Sequence, residues 1–141
     1  MTYTKHFIHT SEEDVIRECL LQRVGAEYGL SPSILETDGK TFITMEDLNA
    51  LNIGDIYGDS IEDIPDTVKR DIWNIVWILY SCCGIEYIDV TPYNFIEKEG
   101  RIWVIDYGHA KKTRSGHMDE WLHSVLDNPI CTISEWNPHF L

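Results

Sequence analysis

A chain of 141 residues fits a single domain large enough to bury a core without disulfide or metal staples. Its 43% hydrophobic and 11% aromatic residues exclude a disordered or fibrous chain. Eleven Lys+Arg against 24 Asp+Glu give a formal net charge of −13. That charge argues against a generic nucleic-acid or anionic-membrane binder, although a lysine or a carboxylate-bound metal can invert the sign at one nucleotide site.

The cysteines Cys19, Cys82, Cys83 and Cys131 have neither zinc nor Cys-x-x-Cys spacing, and reduced, partly buried thiols are expected. The start, MTYTKHFIHTSEED, lacks a signal-peptide core and no apolar run approaches a membrane span. An intracellular, cytoplasmic protein is expected.

Thr2 to Ile8, rich in Tyr, Thr, Phe and Ile, suits a strand. Thr10-Ser11-Glu12-Glu13 offers a capping box before a helix with Val15, Ile16, Cys19, Leu20 and Val24 on its apolar face, ending near Gly25 to Gly29. Pro32 to Leu35 and Thr41 to Met45 flank Asp38-Gly39 and predict a hairpin, because both turn residues tolerate positive φ. Glu46 to Ile64 is acidic and reads as loop with at most one short helix. Val68, Ile72, Ile75, Val76 and Leu79 then mark the main buried helix, opened by Pro65 and closed by Gly84. A second hairpin is predicted from Asn94 to Ile96 and Arg101 to Ile105 about Gly100, and a last helix from Met118 to Leu126 before Asn128-Pro129.

The segment Asp89-Val90-Thr91-Pro92-Tyr93-Asn94 resembles the catalytic loop of protein-kinase-like phosphotransferases, and Asp106-Tyr107-Gly108 resembles their D-F-G. Either motif alone is weak. Their order raises the signal: an apolar helix, the loop, a hairpin, then the D-x-G at a strand end. The context of Pro92 and Asn94-Phe95 looks closest to small atypical kinases of the Rio type and to tRNA-modification-associated kinases.

The resemblance implies a truncated protein-kinase-like α+β fold, with residues 1–48 as a reduced N-terminal lobe, Met45 to Leu48 as hinge, and residues 49–141 as a reduced C-terminal lobe. It implies an ATP- and Mg²⁺-dependent phosphotransferase acting on a hydroxyl acceptor. Asp89 would orient the acceptor and receive its proton, Asn94 and Asp106 would supply hard oxygens to Mg²⁺, and Lys5 paired with Glu18 would hold the phosphates. Glu46 and Leu48 would meet the adenine through their backbone groups.

Several departures favour the alternative of an inactive, protein-binding pseudokinase. Only Met1 to Thr4 precede Lys5, so the glycine-rich lid of the family is expected to be missing. Tyr87-Ile88 replaces the His-Arg before the catalytic Asp, Thr91 stands where a Lys is common, and no Ala-Pro-Glu follows Gly108. A protein partner covering the shortened fold is then expected.

The remaining features are read as follows. His109, His117 and His123 with Asp119 form no metal-ligand pattern and are read as surface or packing residues. Lys111, Lys112 and Arg114 form a small basic cluster, solvated or in contact with a phosphate or partner. Trp73, Trp77 and Trp103 are expected in the core, and Trp121 and Trp136 on an interface.

Overall fold

The computed structural model describes residues 1–114 and 116–141. It is a mixed α+β fold built on two hydrophobic clusters.

The smaller cluster forms where a three-stranded antiparallel sheet meets a helix. Strands β1 (Thr2–His6), β2 (Ile34–Thr37) and β3 (Phe42–Glu46) lie in the order β1-β3-β2, with Lys5 opposite Ile43. Helix α1 (Glu12–Glu27) brings Val15 and Cys19 against Ile43 and Met45, with Phe7 and Ile34 at the margin.

The larger cluster surrounds α3 (Asp66–Ser81), whose Ile72, Val76 and Leu79 are fully buried. Against it pack α2 (Ile53–Tyr57), the β5 (Phe95–Lys98) and β6 (Arg101–Val104) hairpin, and α4 (Glu120–Leu126). Two short strands, β4 (Ile85–Glu86) and β7 (Lys111–Lys112), pair antiparallel. The Trp73 indole donates to the Val125 carbonyl at 2.8 Å and pins α4 to α3.

Most elements lie where the pattern places them, and the differences have local causes. The α1 cap is Ser11, which accepts from the Asp14 N–H at 3.1 Å. Its buried face holds Glu18 and Gln22 beside Val15 and Cys19, while Ile16 and Leu20 are 46% and 54% exposed. The face is turned because two polar residues have partners inside: Lys5 for Glu18, the Pro32 carbonyl for Gln22.

Strand β2 begins later than predicted, at Ile34, and the turn after it runs from Asp38 to Thr41. The Asp38 carboxylate accepts from the Thr41 hydroxyl and from the N–H groups of Thr41, Lys40 and Phe42, which together hold its pKa well below the usual range. Asn94 belongs to a 3₁₀ turn (Pro92–Asn94), not to the hairpin, whose turn residues Glu99 and Gly100 both have positive φ as a tight two-residue connection requires.

The tryptophans also redistribute. Trp121 and Trp136 are buried, with Trp136 donating to the Asp59 carbonyl at 3.0 Å, so they close the core and offer no anchor. Trp77, expected inside, is 41% exposed and stacks on Trp73 at 5.7 Å. All four cysteines are free; Cys19 is buried and Cys83 half-buried, while Cys82 and Cys131 are exposed. Among the described residues no helix is long and apolar enough to cross a membrane.

Gly25 carries the contact between α1 and the D-x-G segment. A Cβ there would lie 2.1 Å from the Tyr107 hydroxyl, which itself hydrogen-bonds Ser31. Helix propensity favours Gly25→Ala by about 1 kcal/mol, yet the overlap should make the variant less stable by roughly 1–3 kcal/mol in urea unfolding. Adding Tyr107→Phe, which removes the clashing oxygen, should recover part of that loss.

Candidate functional site

Lys5 is the centre of the site. Its position on β1 opposite Ile43 turns the side chain toward α1, where Nζ donates to Glu18 Oε2 at 2.6 Å and to Asp106 Oδ1 at 3.2 Å. The pair expected from the sequence is therefore formed, and a carboxylate 101 residues further along the chain joins it. Burial alone would lower the Lys5 pKa, but the Asp106 and Glu18 carboxylates outweigh it and raise it above 10.5. Burial pushes the Glu18 carboxyl upward, opposed by Lys5.

Asp106 is held by its backbone. It has φ of +63°, a left-handed conformation that Asp tolerates when its side chain bonds locally. Its Oδ1 accepts the Gly108 N–H at 3.0 Å, and the buried Tyr87 hydroxyl donates to the carbonyls of Ile105 and Asp106 at 2.5 and 2.8 Å. Burial, with Asp106 nearby, keeps the Tyr87 phenol well above its ordinary pKa and hence protonated. Gly108 lies close to both acids: a Cβ there would meet Asp106 Oδ1 at 3.1 Å and Glu18 Oε1 at 3.2 Å, so a side chain would press on the cluster.

Asp89 and Asn94 belong to the loop between β4 and β5. The Asn94 amide donates to the Asp89 carbonyl at 2.9 Å and closes the loop on itself. The Asn94 carbonyl accepts the Ile105 N–H at 2.9 Å, bringing Asn94 beside the residue preceding Asp106. Asp89 Oδ2 meets His109 Nδ1 at 3.0 Å, and Phe140 packs on the His109 ring at 5.0 Å. Asn137 straps the same loop, its backbone N–H on the Val90 carbonyl at 3.0 Å and its amide on the Ile88 carbonyl at 2.8 Å.

Lys5, Glu18 and Asp106 close one end of a cavity of about 370 Å³. Tyr3, Met45, Leu48, Ile96 and Ile105 give the rest an apolar lining, with Glu46 at the edge. Among the described residues the Leu48 N–H and carbonyl make no hydrogen bond, whereas the Glu46 N–H is taken by the Ser33 carbonyl at 3.0 Å. The cavity thus joins an apolar part, where the Leu48 backbone groups are free, to a charged end.

The donors that would suit a divalent cation are divided: Asp106 lies at the charged end of the cavity, whereas Asn94 is not among the residues that line it. Asp106 Oδ2 and the Asn94 side-chain oxygen accept no hydrogen bond among the described residues, and both are the hard oxygens that Mg²⁺ takes. Two carboxylates share one lysine, so the cluster keeps a net negative charge that favours another cation. No group of three or more His, Cys, Asp or Glu side chains among the described residues could hold a metal by itself.

Three contributors escaped the sequence reading. Tyr87 counted only as a departure from the family pattern, and Asn137 carried no signal in a tail of mixed residues. His109 was read as a surface or packing residue, though its place immediately after Asp106-Tyr107-Gly108 was a usable hint. Compared with known protein families and with curated proteins, the chain matches no family and none of the curated sequences.

The Lys5 cluster has a pH signature. With its folded pKa raised, Lys5 contributes stability that is complete below about pH 10.5 and is lost as pH rises through the higher folded value. In urea unfolding from pH 8 to 12, wild type should lose stability more steeply above about pH 10.5 than Lys5→Met. Tyr87 and Tyr107 titrate in both proteins, so the difference between the curves isolates Lys5 and its partners.

Proposed function

We propose that the protein is a minimal ATP- and Mg²⁺-dependent phosphotransferase of protein-kinase-like fold, acting on a hydroxyl acceptor. The observation that carries this reading is the convergence of Lys5, Glu18 and Asp106 at the charged end of an apolar cavity. The three residues come from a strand, a helix and a turn far apart in the chain, and each was singled out in the sequence by the motif it resembles.

In this reading the slot beside Leu48 takes the adenine, with the free Leu48 backbone groups at its edge, and Lys5 binds phosphate oxygens while Glu18 holds its ammonium in place. Asp106 and Asn94 hold Mg²⁺, which when bound neutralises charge on the phosphates. Asp89 orients the acceptor hydroxyl and receives its proton. The protein positions groups and balances charge, which is most of what a loose phosphoryl transition state requires.

One observation favours the second reading, a binding module without transfer. Asp89 is buried and its Oδ2 is met by His109, an exposed side chain against which Phe140 packs, so an acceptor must displace or share that contact.

Incubation with labelled ATP, Mg²⁺ and generic hydroxyl acceptors decides between them. Transfer should fall at least about 100-fold in Asp89→Asn, the scale for losing a catalytic acid–base group, and at least as far in Asp106→Ala, which removes a Mg²⁺ ligand. Nucleotide at 100 times its dissociation constant should also add about 2.7 kcal/mol of apparent stability to wild type. A stability gain with no transfer in wild type supports the binding module; equal transfer in wild type and Asp106→Ala overturns the phosphotransferase.

A further inference from the structure

A second cavity, about 840 Å³ in volume, lies between the outer face of α1 and β7 and shares no residue with the first. Its α1 wall presents Ile16 and Leu20, the two apolar side chains that the turned helix leaves outside. Its other wall presents Lys111, Lys112 and Arg114; from α1 come also Glu13 and Arg17, the latter paired with Asp14 at 2.8 Å. Four of the chain's eleven Lys+Arg thus line one groove of a protein whose net charge is −13. Among the described residues no carboxylate lies within ion-pair distance of Lys111, Lys112 or Arg114.

The base of the groove adds an independent observation. Glu86, fully buried, lines it; Oε1 accepts the Asp119 N–H at 3.0 Å, but Oε2 is buried with no hydrogen-bond partner. A buried carboxylate oxygen without a donor is costly, and native proteins rarely leave one.

We propose that this groove docks an acidic, amphipathic peptide segment of a partner protein. Apolar side chains of the segment cover Ile16 and Leu20, its carboxylates pair with Lys111, Lys112 and Arg114, and a small shift of the Glu86 side chain brings Oε2 to one of its N–H groups. Charge complementarity selects the occupant. The overall field of the protein repels an acidic segment, so only this concentration of cations can hold one, and the apolar wall gives an inorganic anion nothing to contact. Docking here does not depend on nucleotide chemistry.

The test uses a fluorescein-labelled synthetic peptide of amphipathic Glu/Leu pattern, a matching Lys/Leu peptide and inorganic phosphate, read by fluorescence anisotropy. The Glu/Leu peptide should bind saturably and more tightly than the Lys/Leu peptide. Its affinity should fall at least about tenfold in the combined Lys111→Glu, Lys112→Glu, Arg114→Glu variant and, separately, in Leu20→Ser. All these positions are exposed, and thermal unfolding checks that the variants fold; Leu20→Ser alone carries the test if the charge reversal does not. Three results overturn the proposal: preference for the Lys/Leu peptide, which net charge alone predicts; unchanged affinity in Leu20→Ser; or full displacement by millimolar phosphate, which marks a simple anion site.

Discussion

One ammonium group shared by two carboxylates organises this molecule. Lys5 reaches Glu18 on α1 and Asp106 at the end of the β5–β6 hairpin, so the cluster ties the small sheet-and-helix unit to the larger α3-centred core. Without the cation two acids would face each other in a partly buried site, where like charges repel strongly and water cannot fully screen them. The rest of the polar end follows: Tyr87 and the Gly108 N–H exist, in structural terms, to keep Asp106 in a backbone conformation that most residues avoid.

The Asp89 loop is secured by another means. It has no long ladder of its own, and side chains supply the missing hydrogen bonds: the Asn94 amide from within, and Asn137 from the tail across the Val90 and Ile88 carbonyls. Buried amides fit this task because each carries donors and an acceptor in fixed geometry. Trp136, one residue earlier, anchors that strap in the core. The tail therefore supports the geometry of the candidate site, and it also carries Phe140, which packs on the His109 ring beside Asp89.

Legibility in the sequence varied with the range of the forces involved. Helix α3 was read correctly because an apolar stripe at helical spacing has one stable solution, burial. Helix α1 was read with the wrong face, because its inward side is set by ion pairing and amide hydrogen bonds, which a hydrophobic pattern does not register. Trp121 and Trp136 were misjudged for a related reason: aromatic side chains near a terminus suit an interface or a core equally well until the packing around them is known.

The candidate site divides along the same line. The resemblance of short motifs in their order along the chain marked Asp89, Asn94, Asp106, Lys5 and Glu18, which residue type and spacing alone would not have done. Spacing could not say that Lys5 contacts two acids, that His109 engages Asp89, or that Ile16 and Leu20 stay outside beside Lys111 and Lys112. Apart from Lys5–Glu18, 13 residues apart, each of these joins residues 20 or more apart in the chain. Such meetings depend on how the elements fold back on one another, and a one-dimensional pattern carries no record of that distance.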